Sequence, residues 1–169
     1  FTGTMGLGRD LTVGEITGQV LVARARLRAG TRITHVVYMG MGEPLANYRN
    51  LKVALDLLLA EGGPNFSQRR VTVSTSGLAP LMRRLGEETQ VRLAVSLNAT
   101  TDAQRDALMP INRRYPIAEV MKACREFPTR NGRRITFEYV LLAGVNDSPE
   151  DARRLDRPVG GIPTQVNLI

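Results

Sequence analysis

Cysteine is nearly absent from this chain. Cys124 stands alone among 169 residues. That excludes an internal disulfide, excludes any metal site built from cysteines of this chain, and fits a reducing, cytoplasmic setting. Histidine is as scarce. His35 is the single one, so a zinc site of mixed His and Cys finds no ligands here. Tryptophan is missing and aromatics make up 5% of the chain. No run of about 18 apolar residues occurs, which leaves no membrane-spanning segment. The opening Phe1-Thr2-Gly3-Thr4-Met5 has neither the basic region nor the apolar stretch of a signal peptide.

Lysine is scarce too. Lys52 and Lys122 are the only two, so arginine supplies the rest of the 23 basic residues. Against 16 acids this leaves a net charge of +7 and a pI near 10.5. Such a balance attracts polyanions, nucleic acid first. The arginine pairs at 69–70, 83–84, 113–114, 133–134 and 153–154 are spread along the chain and do not alternate with aromatics. A base-stacking platform for single strands is therefore not encoded. Arginine bias of this kind also arises as a plain solvated surface.

What is present is one domain's worth of chain with 43% hydrophobic residues. Thr12-Val13-Gly14-Glu15 has the form of a capping box and opens a helix over Val13–Arg28, with Ile16, Val20, Leu21, Ala23 and Leu27 at helical spacing. Ile33–Met39 reads as a buried strand. Helix follows over Leu51–Glu61, strand over Arg70–Val73, a short helix over Leu81–Leu85, and strand over Val91–Val95. Residues 102–108 give a helical turn or two, Pro110–Pro116 a connector, and Ile117–Phe127 a helix that holds Cys124 in its core face. The strand Ile135–Leu142 leads to a helix capped by Ser148, and Val166–Ile169 is a last strand. Strand and helix thus alternate about five times, the pattern of parallel βα units.

Each strand exits into small or polar residues. These are Gly40-Met41-Gly42-Glu43, Ser74-Thr75-Ser76-Gly77, Ser96-Leu97-Asn98-Ala99 and Gly144-Val145-Asn146-Asp147. In a parallel barrel all such exits meet at one rim, where ligands bind. Pro44 keeps Glu43 extended at the end of its strand. A carboxylate fixed there is placed either to hold a cation or to cap the helix that follows. The glycine turn lacks a full Gly-x-Gly-x-x-Gly, and no Walker lysine follows it, so a phosphate-cradling loop is disfavoured.

Taken in order, Gly40–Leu45, Ser74–Gly77, Ser96–Ala99, Pro110–Tyr115, Glu138–Leu142 and Gly144–Asp147 resemble the RlmN-type radical S-adenosylmethionine (SAM) enzymes, RNA methyltransferases acting on C2 of adenine in 23S ribosomal RNA and transfer RNA. The resemblance covers essentially all of residues 1–169. It implies an α/β fold, a partial (βα)6 barrel of the radical SAM kind truncated at both ends, with SAM and a [4Fe–4S] cluster as cofactors. It also implies radical chemistry, because C2 of adenine is not a nucleophile. Carried over by position, it assigns Gly42 and Glu43 to the ammonium of the methionine moiety. Ser74 and the run Ser96, Leu97 and Asn98 become further SAM contacts. The family more often has His where Asn98 stands, and Asn does not titrate near neutrality.

The family's three cluster cysteines and its methyl-carrying cysteine have no counterpart here. The chain is accordingly expected to be the middle of a longer, cytoplasmic, monomeric protein that retains the SAM-binding elements. By itself it is expected to be inactive. Another radical SAM enzyme and a non-catalytic RNA-binding piece are the competing readings.

Overall fold

The computed structural model describes residues 8–39, 42–129 and 133–169. The glycine turn at 40–41 and the opening residues 1–7, both used in the sequence reading, lie outside the described residues.

Five strands form one sheet in the order of the chain: β1 (Val36–Tyr38), β2 (Val71–Thr75), β3 (Arg92–Ser96), β4 (Ile135–Tyr139) and β5 (Thr164–Leu168). Every neighbouring pair is parallel. The connections carry α2 (Tyr48–Leu59), α3 (Ala79–Glu88), α4 (Asp102–Leu108) with α5 (Ile117–Glu126), and α6 (Pro149–Val159), while α1 (Val13–Ala25) precedes β1. Parallel crossovers have one hand. A sheet whose strand order follows the chain therefore takes all its connecting helices on one face, and it curls as part of a barrel.

Side-chain alternation agrees with this. Val71, Val73, Leu93, Val95, Ile135 and Phe137 are buried in the core beneath the helices, with Leu51 and Leu55 of α2, Met82 and Leu85 of α3, and Val120 and Cys124 of α5. The residues between them point to the opposite, helix-free face. There Ser74 pairs in register with Ala94. Ser96, Glu138 and Asn167 form the next row. The apolar pattern of the strands thus fixes which face holds the core and leaves a polar inner face.

Several elements differ from the sequence expectation. The first strand is three residues long, and Val37 is 50% exposed. It is the edge strand with β2 as its one neighbour, so the β-branched run is not sandwiched. Helix α1 ends at Ala25 and has no buried residue, because it packs on α2 beyond that edge. Its capping box does form between Thr12 and Glu15. Helix α3 is longer than expected at both ends. Pro80 is tolerated in its first turn, where a free N–H is not needed. Strand β4 ends at Tyr139. Beyond it the Asn98 and Asn146 side chains, not a neighbouring strand, accept from Val140 N and Leu142 N.

Candidate functional site at the strand exits

Glu43 leaves β1 in an extended conformation (φ −125°, ψ 106°), as expected for a residue before proline. It caps the 3-10 turn Pro44–Asn47: Oε1 accepts from Leu45 N at 2.9 Å. Oε2 reaches across to the β2 exit and accepts from Ser76 N at 2.6 Å and Ser76 Oγ at 2.7 Å. Gly42 before it is exposed at φ +99°, a backbone that a side chain would strain. A carboxylate offers about four acceptor positions. Three are taken here among the described residues, and Oε1 keeps room for one more donor.

The β2 exit turns sharply at Gly77, which has φ +110°. A Cβ there would lie 2.9 Å from Val120 Cγ2 and 3.2 Å from Arg105 Nη2. The positive φ strains any side chain, and the Val120 side chain and then the Arg105 guanidinium crowd the space a Cβ would take. Arg105, on α4, is completely buried. Its Nε donates to Leu97 O at 3.1 Å, and Nη2 donates to Ser76 O at 2.6 Å and Ser96 O at 3.2 Å. Nη1 donates to Asn112 Oδ1 at 3.0 Å and Tyr115 O at 3.4 Å. Burial lowers its pKa to about 10, opposed by the nearby Asp102 and Asp106 carboxylates, so it stays charged at neutral pH. Asn112, itself buried, passes that charge outward by donating to Asp102 Oδ1 at 3.1 Å and Asp106 Oδ1 at 2.7 Å.

At the β3 exit the three adjacent residues are placed differently. Ser96 is half-buried at the inner face, in register with Glu138. Leu97 is completely buried in the core. Its N–H donates to Glu138 O at 2.9 Å and its carbonyl accepts from Arg105. Asn98 takes a left-handed backbone (φ +55°), which Asn tolerates better than most residues. Its Oδ1 accepts from Val140 N at 2.9 Å and its Nδ2 faces Met109 Sδ at 3.4 Å. Asn146 closes the β4 exit by donating to Asn98 O and Val140 O, both at 2.8 Å.

The exits of β1, β2 and β3 therefore join one hydrogen-bonded network, Glu43–Ser76–Arg105–Ser96. Ser74 and Ser96 share the inner face, and neither hydroxyl bonds another described residue. Glu138 stands beside them, accepting from Asn167 Nδ2 at 2.8 Å. The sequence reading missed Arg105, Asn112 and Glu138. Asn112 lay within the quoted Pro110–Tyr115 motif, whereas Arg105 had no local signal. Among the described residues no group of three or more His, Cys, Asp or Glu is arranged to hold a metal ion. Cys124, buried, has its thiol pushed up to about 12 by desolvation.

A family profile described as the radical SAM superfamily matches residues 5–155. The chain belongs to the radical SAM superfamily. Its five parallel strands with helices are the radical SAM fold, partly closed. A protein of Anaeromyxobacter dehalogenans described as dual-specificity RNA methyltransferase RlmN is 72% identical over 174 residues, covering 99% of this chain and 47% of that protein. An RlmN 2 of Myxococcus xanthus is 55% identical and is covered over 46% of its length. The crystal structure of a radical SAM methyltransferase from Sphaerobacter thermophilus superposes with a TM-score of 0.93 at 52% identity, over 98% of this chain and 49% of that one. The chain spans about half the length of the curated relatives it matches.

Proposed function

We propose that the strand-exit rim binds SAM within a longer RNA methyltransferase, and that residues 1–169 are its radical SAM core domain. The reading is supported first by the joining of Glu43, Ser76, Arg105 and Ser96 in one network beside the inner face. The free acceptor position of Glu43 suits the methionine ammonium, and exposed Gly42 lets that moiety approach the backbone. The unengaged Ser74 and Ser96 hydroxyls suit the polar edge of the nucleoside. Leu97 acts from behind, its main-chain groups committed to Glu138 and Arg105, while Asn98 engages Val140 and Asn146 through Oδ1 and its carbonyl and keeps Nδ2, facing Met109 Sδ, as a donor for SAM.

Bound SAM supplies the methyl group. The residues of this chain hold and orient it, and none is placed as an acid, base or nucleophile. A [4Fe–4S] cluster finds no ligand set among the described residues, and the buried Cys124 does not fit that role.

The substrate we propose is RNA, methylated at C2 of adenine in 23S ribosomal and transfer RNA; the relatives' description as dual-specificity RNA methyltransferases supports an RNA substrate. The net charge of +7 supports a polyanionic partner. So do Arg49, Arg113 and Arg114, exposed and without an ion-pair partner among the described residues. No helix is long and apolar enough to cross a membrane among the described residues.

The test is calorimetric titration of SAM into the full-length protein and its Glu43→Gln variant. Binding by the parent with at least about tenfold loss in the variant supports the reading, an effect of about 1.4 kcal/mol. Equal affinity in both rejects Glu43 as the ammonium site.

A further inference from the structure

Arg105 is an unusual device for a short helix that follows a strand exit. A buried cation is costly, and an apolar side chain would anchor α4 at least as well. What a guanidinium does that Leu or Met cannot is to reach several acceptors at once in a fixed planar fork. All five of its acceptors are neutral. Three of them, Ser76 O, Ser96 O and Leu97 O, are main-chain carbonyls of two different strand exits. The neutralising carboxylates, Asp102 and Asp106, stand behind Asn112 and leave the fork free for those carbonyls. Gly77, at φ +110°, turns the chain against both Val120 and this guanidinium, which a Cβ there would meet at 2.9 Å and 3.2 Å.

We propose that Arg105 is the positioning residue of the rim: its fork fixes the separation of the β2 and β3 exits, and with it the spacing of the groups offered to SAM. It touches no ligand itself. It acts through Ser76, which orients the Glu43 carboxylate with two hydrogen bonds, and through the carbonyl of Ser96. This rests on the SAM-binding reading of the same rim.

The test measures SAM affinity and thermal midpoint together in the full-length protein. Arg105→Lys keeps the charge and loses the fork. At least about tenfold weaker binding in a folded Arg105→Lys protein is expected. Unchanged affinity in that protein overturns the proposal while the parent's own binding stands. A parent that binds no SAM rejects the functional reading first, and the positioning role falls with it. Should Arg105→Lys fail to fold, Arg105→Ala decides, measured with and without millimolar guanidinium beside the parent at the same guanidinium. In Arg105→Ala, millimolar guanidinium is expected to restore SAM affinity. A lowered midpoint with SAM affinity equal to the parent's in folded Arg105→Ala assigns Arg105 to stability alone and overturns the proposal.

Discussion

Glu43 and Ser76 stand thirty-three residues apart in the chain and meet through two hydrogen bonds, from the Ser76 amide at 2.6 Å and its hydroxyl at 2.7 Å to Glu43 Oε2. The pair fastens the first strand exit to the second and turns a flexible carboxylate into a fixed one. Ser76→Ala removes the hydroxyl bond and leaves the amide bond. We expect a stability loss of about 1 kcal/mol and a fall in SAM affinity of about three- to tenfold. Thermal melts with and without SAM read both. An intact ligand-induced shift would argue that Glu43 needs no such orientation.

Arg113 and Arg114 sit on a short turn held by buried Asn112, with the Arg114 guanidinium 5.4 Å from the Tyr115 ring centre. Fixed, exposed and without carboxylate partners among the described residues, they suit phosphate contacts. Arg113→Glu with Arg114→Glu in the full-length protein is expected to weaken RNA binding. It should also lower the slope of log affinity against log salt by about 1 to 2, as each lost phosphate contact releases fewer ions. An unchanged slope would place the RNA elsewhere.

How much of this was legible in the sequence depends on the range of each interaction. The βα alternation could be read because strand and helix periods are local, and the capping box at Thr12 and the cap at Ser148 because their partners are three residues on. Of the two readings of Glu43 the cap is seen, through Oε1, while Oε2 makes a link to Ser76 that no local pattern announces. The short, half-exposed β1 was not legible, because Val36-Val37-Tyr38 is as apolar as a central strand and only the sheet order makes it an edge. Arg105 was hidden for the same reason. An arginine in a helical heptapeptide looks like solvated surface until the two strand exits it serves are brought together in space.

Asp151 gives a pH signature. Its carboxyl is held well below the usual range, chiefly by the Ser148 hydroxyl at 2.6 Å, against a desolvation cost, and further by Arg154, Gln104 and Thr100. A folded-state pKa below the unfolded one contributes stability that is complete above the unfolded value, about 4, and is lost as pH falls toward the folded value. Asp151→Asn should therefore cost about 1–2 kcal/mol at pH 7, and its gap to the parent should begin to narrow only below about pH 4. A gap independent of pH would show that the carboxylate charge plays no part.

Cys124 should be chemically silent. It is 1% exposed and its thiol is pushed up to about 12 by burial. Reactivity follows the thiolate. Peptide mapping after alkylation of the native full-length protein should leave the Cys124 peptide unmodified and label it fully after denaturation. Native labelling would contradict its place in the core.

The central claim is that the exits of successive parallel strands converge on one sulfonium nucleotide. The most direct measurement is a crystal structure of the full-length protein grown with saturating SAM. The account predicts the methionine ammonium within hydrogen-bond distance of the Glu43 carboxylate, with the nucleoside against Ser74 and Ser96. SAM bound away from those three residues, or a rim left empty at saturation, would contradict it.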